Sequence, residues 1–476
     1  MLHRASKASL SATAFGVSYL FWLFLGAIPR TSAIPAFARK YQTSCTTCHN
    51  NFPELNDFGE AFKKNGFKFP KDDETFVKEP PVMLGAKAQR EAFPKAIYPG
   101  EIPGTIPIGF RYSGFATYNS KQPLALGFLP RTDLFTPDTF AIIAAGSFGP
   151  NISFWVDDDI SAEGSGAEGG LGDGYLKVND LGHYIRLPKD ALNVRFGQFE
   201  LDLPFTQART INLSDYDIYG QTSNIASLPG TTANPFALGA SQRGIEIGGY
   251  PNDGNFSWSA TLLNGNNGDP ASRNSKDVYI RVSERFNLER DASVRKEVQA
   301  AGPTGPRDHT SLRLGSFYYY GRNALNADRA AFPGFGVIHE PFYRVGGDFR
   351  FKYRQFELYG LGMYGHDANL IPNFTTFGLD QGPPVTFNGG FAEAEYWFYP
   401  WLIGIMRFDA VNSPTDFLNG VSRRNTRNRY GPGVQFLVRS NIKVAFEYQR
   451  KWEQSAGEPG KFFRPSGFAT GIDYSF

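Results

Sequence analysis

The chain has 476 residues, of which 41% are hydrophobic, 15% aromatic and 20% charged. Its 44 Phe and 23 Tyr demand burial in something, which excludes disorder over most of the chain, and its 52 Gly and 32 Pro exclude a coiled coil. No apolar run long enough for a membrane helix lies beyond the N-terminus, and 48 Lys plus Arg against 46 Asp plus Glu leave a net charge of +2, without the basic excess of a nucleic-acid binder.

The N-terminus reads as an export signal. His3, Arg4 and Lys7 give a positive start, Ala8 to Pro29 carries no charge, and Arg30-Thr31-Ser32-Ala33 offers small residues for cleavage after Ala33. Residues 1–33 are therefore assigned to a signal peptide. The rival reading is an uncleaved inner-membrane anchor, because the apolar run is long for a signal. In either case the remainder crosses the inner membrane.

Both cysteines of the chain fall in one motif, Cys45-Thr46-Thr47-Cys48-His49. This is the attachment pattern of a c-type haem. Two thiols three apart match the two vinyl groups of one porphyrin, and the adjacent imidazole is an axial iron ligand. A structural zinc site wants a second Cys/His cluster, which is absent from the sequence. A redox CxxC wants a thioredoxin-like βαβ setting, which is absent too. Cys45 and Cys48 are thus the expected haem thioethers, and His49 the expected iron ligand.

The flanks predict a short helix. Asn51 is a candidate cap for a helix opening on Phe52 and Pro53, and Leu55, Phe58 and Phe62 recur on one face. Lys63 and Lys64 suit its last turn, and Asn65-Gly66 its stop. So short a segment is expected to lack a core of its own, which a haem would supply. Met83, after Pro80-Pro81-Val82, is the candidate sixth ligand; ordinary packing of Met83 is the alternative. His183, His309, His339 and His366 lie far along the chain. Residues 34–70 are assigned to the monohaem cytochrome c segment. Residues 71–104, punctuated by Pro80, Pro81, Pro94, Pro99 and Pro103, are assigned to a linker, with room for a short helix near Leu84–Phe93.

The remainder, 105–476, alternates with period two. Phe468, Thr470, Ile472, Tyr474 and Phe476 interleave with Ala469, Gly471, Asp473 and Ser475. Ile442, Val444, Phe446 and Tyr448 interleave with Lys443, Ala445, Glu447 and Gln449, and Val278, Ile280 and Val282 with Tyr279, Arg281 and Ser283. The polar face carries charges of both signs and many glycines, which suits a barrel lumen with the apolar face toward lipid. The terminal Phe resembles the assembly signal of bacterial outer-membrane barrels. Candidate strands fall at 106–119, 137–148, 152–160, 172–179, 192–201, 239–250, 255–263, 276–286, 310–320, 342–353, 355–364, 387–398, 401–410, 428–439, 442–451 and 466–476. The prediction is an all-β, antiparallel transmembrane barrel of about sixteen strands, an even number as bacterial barrels require, with a small helical cytochrome segment in front. Most connections alternate short and long. Those at 180–191 and 287–309 are longer than short turns should be, and the loop 202–238 is long enough to fold inward. A soluble sandwich or propeller is the competing fold.

The apolar band of such a barrel is about 25 Å tall. A single haem conducts across it only from inside or at the mouth of the barrel. Asp157, Asp158 and Asp159 are hard carboxylates able to gather Fe(II), or simply a solvated wall. Gly170, Gly172 and Gly174 precede no helix, so they are no phosphate loop.

The stretch Ala33-Ile34-Pro35-Ala36-Phe37-Ala38-Arg39, then Cys45-Thr46-Thr47-Cys48-His49, Phe52-Pro53, Leu55, Phe58-Gly59 and Phe62 resembles the N-terminus of the fused monohaem cytochrome–porins of the bacterial outer membrane. Over 105–476 the likeness is one of class, size and ending. The resemblance implies one covalent haem c on Cys45, Cys48 and His49. It implies electron transfer from extracellular Fe(II) to a periplasmic c-type cytochrome or similar carrier, with outer-membrane lipid around the barrel and no nucleic-acid partner. An iron-oxidising activity rests on the resemblance alone. The alternatives are a solute porin with a haem-bearing plug or sensor, and a conduit with another donor or outward flow.

Overall fold

The structure is a computed structural model. It describes residues 36–69, 73–78, 82–83, 87–95, 101–102, 104, 106–119, 131–149, 151–161, 170–206, 211–214, 216–220, 231–232, 238–251, 254–265, 267–268, 275–288, 310–327, 337–368, 373–375, 378–380, 384–411, 427–454, 461–462 and 466–476. The signal peptide expected at 1–33 lies outside them.

Sixteen strands form the wall. They are β1 Ile108–Asn119, β2 Thr132–Phe148, β3 Ile152–Ser161, β4 Gly170–Val178, β5 Asn193–Phe199, β6 Gln242–Gly249, β7 Phe256–Leu263 and β8 Asp277–Asn287. There follow β9 Ser311–Ala327, β10 Val337–Tyr353, β11 Phe356–Asp367, β12 Val385–Tyr399, β13 Leu402–Val411, β14 Arg427–Arg439, β15 Ile442–Gln454 and β16 Gly467–Ser475. Each pairs antiparallel with its neighbour, and β16 returns to β1 with Tyr474 opposite Tyr112. The terminal Phe476 seals this seam: its N–H donates to Phe110 O at 2.9 Å, and Phe110 N–H donates back at 2.6 Å. Two further two-residue strands, Thr231–Thr232 and Lys461–Phe462, are appended to β9 and β15. A closed sheet leaves no unpaired edge, which a span through hydrocarbon requires.

Burial is inverted relative to a water-soluble protein. In β8, Asp277, Tyr279, Arg281 and Ser283 are buried, while Val278, Ile280 and Val282 are exposed. In β13, Arg407 and Asp409 are buried, and Met406 and Phe408 face outward. The period-two pattern thus presents the apolar side chains to lipid and the charges to the lumen. Exposed Tyr396, Phe398, Tyr399 and Trp401 cluster at the β12–β13 turn, as an interfacial aromatic girdle does.

All sixteen predicted strands are present, with some shifted ends. The clearest is β2, which begins at Thr132 rather than at 137. Pro137 has no N–H to give a ladder. It falls where the register slips between Ser113 and Phe115, so the strand continues past it. Short turns at Gly149, Arg354–Gln355, Pro400–Trp401 and Ser440–Asn441 share one rim with both ends of the barrel. The 180–191 connection on that rim holds a 3-10 turn, Leu181–Ile185. Most of 287–309 lies outside the described residues.

The N-terminal segment differs from its prediction in two respects. Helix α1 spans Ala36–Tyr41, a 3-10 turn spans Cys45–Thr47, and His49–Asn51 pairs with Glu54–Leu55 as a small hairpin. Helix α2 then runs Asp57–Lys64. Asn51 is therefore no helix cap. It is committed to the hairpin that turns at Phe52–Pro53, and helix formation waits for Asn56, whose side chain accepts from Gly59 N–H at 2.8 Å. Lys63 and Lys64 do occupy the last turn, followed by Asn65 and by Gly66 at φ 69°.

The segment also has the core it was expected to lack. Phe37, Tyr41, Phe58, Phe62, Phe67 and Phe69 pack together, and Ala145 and Trp155 of the wall close the cluster. Phe37 meets Phe62 edge-on at 5.0 Å, and Tyr41 stacks on Phe69 at 4.2 Å.

Candidate functional site

The five-residue motif is a compact turn braced by Asn56. The 3-10 turn brings Cys45 and Cys48 to consecutive corners, with Cys48 N–H donating to Cys45 O at 3.1 Å. The Asn56 amide donates to Thr46 O at 3.3 Å and Thr47 O at 3.1 Å, and its backbone N–H donates to Cys48 O at 3.0 Å. One side chain therefore caps α2 and staples it to the motif. Gly59 makes the close approach possible, since a Cβ there would stand 2.0 Å from Cys48 O. Both cysteines are half-buried and carry no disulfide. Burial pushes the Cys48 thiol up to about 12.

His49 is held in one tautomer. Its Nδ1 lies 3.2 Å from Pro53 O and 3.3 Å from Glu54 O. Carbonyl oxygens only accept, so Nδ1 carries the proton and Nε2 keeps its lone pair. Burial pushes the imidazole down to about 4, which keeps it neutral. A neutral imidazole with its second nitrogen pinned to a carbonyl is what an iron ligand needs. The residues present thus fit a covalently held haem: two thiols in one turn and an oriented imidazole beside them.

Charged lumen residues grip this segment near the short-turn rim. Asp57 pairs with Arg285 at 3.0 Å and lies 3.6 Å from Lys352, and Glu54 pairs with Arg350. Lys177 Nζ donates to Lys64 O at 2.9 Å, and Lys443 Nζ donates to Phe52 O at 2.9 Å. Asn51 donates to Gln435 at 2.5 Å, and the Ser440 hydroxyl is a partner of Cys45. Gln435 lies four residues inside the rim end of β14, roughly 13 Å along the strand.

A second insert comes from the opposite rim, as the length of the 202–238 loop predicted. Leu203, Tyr216, Ile218 and Leu238 of this loop, with Leu201 just before it, join Tyr279, Tyr319, Phe342, Tyr359 and Phe391 of the wall in an apolar cluster. Phe205 stacks on Tyr359 at 4.4 Å, and Tyr216 on Phe391 at 3.8 Å. Asn212 donates to both oxygens of Glu393 at 2.8 Å.

Among the described residues, Gln435, Lys443 and Arg350 of the wall touch both inserts. Gln435 accepts from Asn51 and donates to Ile211 O at 2.5 Å. Lys443 donates to Phe52 O and, at 3.3 Å, to Ile211 O. Arg350 pairs with Glu54 and lies 5.8 Å from the Phe205 ring. The structure therefore brings Cys45, Cys48 and His49 together, and shared wall contacts link their segment to the inward loop. Met83 pairs through its backbone with Glu101 in a two-residue ladder, and its side chain lies outside the described residues. Asp157 accepts from Trp155 Nε1 at 2.5 Å and from Asp173 N–H at 3.2 Å, within the wall. Glu54, Asn56, Arg350, Gln435 and Lys443 went unnoticed as site residues. Asn56 before Asp57 was the one local signal, an N-cap followed by an acidic first turn.

A closed sixteen-strand antiparallel sheet, an outward apolar belt and a charged lumen define a porin-like β-barrel of the outer-membrane type. No protein family and no curated protein matches this sequence. Among solved structures, the outer-membrane channel DcaP of Acinetobacter baumannii is 10% identical, with 78% of this chain and 96% of that one covered and a TM-score of 0.46. Salmonella typhi OmpF is 11% identical, with 78% and 98% covered and a TM-score of 0.46. Vibrio cholerae OmpT is 9% identical, with 78% and 97% covered and a TM-score of 0.44. The class rests on the closed sheet and its inverted burial, not on these likenesses.

Proposed function

We propose that this barrel is an outer-membrane porin–cytochrome c, with one haem c held by Cys45, Cys48 and His49. It carries electrons from extracellular Fe(II) to a periplasmic carrier such as a c-type cytochrome. The observation that carries the reading is the setting of the Cys45–His49 turn. It sits on a segment docked into the lumen near the short-turn rim, the periplasmic rim in bacterial barrels. A bound haem supplies a one-electron carrier that stays with the chain. The protein supplies the rest. The Pro53 and Glu54 carbonyls orient His49, the wall keeps lipid away, and the inward loop narrows the approach from outside. Met83 remains the proposed sixth ligand.

The test is a visible spectrum of the oxidised protein in detergent, before and after anaerobic Fe(II). A ferrous α-band appearing with Fe(II) supports the reading. Reduction by dithionite but not by Fe(II) removes iron as the donor. Absence of covalent haem, together with free solute flux through the barrel, would favour a plain porin.

A further inference from the structure

Glu357 on β11 and Glu395 on β12 are direct cross-strand partners. Like charges placed opposite one another destabilise a ladder unless something positive lies between them. Glu54 of the docked segment brings a third carboxylate to the same place. One oxygen from each of the three lies within 4.8 Å of the others, and all three side chains are buried. Arg350 engages Oε1 of Glu54 and Oε1 of Glu357, and Tyr359 donates to Glu395 Oε1 at 2.8 Å. Lys352 stands 4.0 Å from Glu357 Oε2 but nearer, at 3.6 Å, to Asp57. Glu54 Oε2 and Glu395 Oε2 have no hydrogen-bond partner, although Glu54 is 6% exposed and Glu395 0%. Counted as ionised, the three carboxylates with Arg350 among them leave two negative charges, and one with Lys352 included.

We infer that Glu54, Glu357 and Glu395 form a binding site for one hard divalent cation, in the class of Fe(II) and Mn(II), at the junction of the N-terminal segment and the wall. Unpartnered buried carboxylate oxygens are the ligand set such ions prefer. Oxygen ligands stand about 2.0–2.2 Å from an ion of this size, so side-chain shifts of under about 1 Å close the set. The site joins two elements distant in sequence, so it exists only when the segment is docked. Glu54 is also the residue whose carbonyl faces His49 Nδ1. Use of the site as the last station of a ferrous donor rests on the electron-transfer reading; the binding itself does not.

The experiment is a titration of the full-length, haem-loaded protein in detergent with Mn(II), a redox-silent probe, following free Mn(II) by electron paramagnetic resonance. One saturable Mn(II) per chain is expected, with affinity at least ten-fold weaker in Glu395→Gln and in Glu54→Gln. The exposed Glu284→Gln leaves it unchanged. Heat-shifted migration on gels verifies the folded barrel in each variant. Should Glu54→Gln release the segment, Glu395→Gln decides alone, since it leaves the segment's own contacts in place. Equal Mn(II) affinity in wild type and Glu395→Gln, or no single-site saturation in wild type, overturns the site. This readout involves no electron transfer, so its failure is separable from failure of the proposed function.

Discussion

The two inserts of the lumen differ in their share of apolar burial. The inward loop adds to its hydrogen bonds with Glu393 and Glu447 a large apolar anchor: Leu203, Ile218 and Leu238 are fully buried against Tyr279, Tyr319 and Phe342. The N-terminal segment keeps its aromatics mainly to itself and meets the wall through Asp57–Arg285, Glu54–Arg350, and lysines on the carbonyls of Phe52 and Lys64. Burial against aromatics is non-directional and tolerates shape change, so a loop can settle into it. Ion pairs and lysine–carbonyl bonds fix register and orientation, which a segment carrying the proposed haem turn would need.

The largest test of this contrast removes the cofactor turn's own chemistry. Cys48→Ala is expected to abolish two-thioether attachment entirely while the barrel still forms, read by mass spectrometry beside heat-shifted migration. No covalent haem in the unaltered protein, or haem retained in equal yield and with an unchanged spectrum after Cys48→Ala, would end the haem assignment. Next, Glu54→Gln breaks a buried ion pair and is expected to cost the docked segment about 3–5 kcal/mol. Proteolysis or hydrogen exchange should then rise over 36–69 and not over 201–206. Leu203→Ala should do the converse at about 2–5 kcal/mol, loosening the inward loop alone. If either change loosens both inserts equally, Gln435 and Lys443 couple them into one unit and the contrast fails. The smallest effect is expected from Gly59→Ala. Its Cβ has no room beside Cys48 O, so α2 must back away from the motif at a cost of about 1–3 kcal/mol. A lower haem yield with an unchanged barrel is the outcome to look for.

Much of the wall was legible because its information is local. A lipid-facing strand must put an apolar residue at every second position, so Val278, Ile280 and Val282 declare both the strand and its outward face. The start of β2 was misread because Pro137 usually stops a ladder, and the slip that accommodates it, three residues of β2 facing one of β1, shows only once the two strands are paired. Asn51 was misread for a related reason. Asn50, Asn51 and Asn56 all precede the same helix, and only the pairing of His49–Asn51 with Glu54–Leu55 decides which are spent on the hairpin. The candidate haem motif was legible because Cys45, Cys48 and His49 fall within five residues of the chain. Their surroundings were not, because Asn51 and Gln435 are 384 residues apart.

Sequence alone therefore determined the barrel, its strand number and the candidate haem turn, since alternation and spacing are properties of neighbouring residues. Tertiary structure alone decided that the turn docks inside the barrel's short-turn end, that the 202–238 loop meets it through shared wall residues, and that Glu54 joins Glu357 and Glu395. Closing a sheet brings distant residues to one lumen, and which of them meet depends on register and shear, which no short stretch of chain encodes.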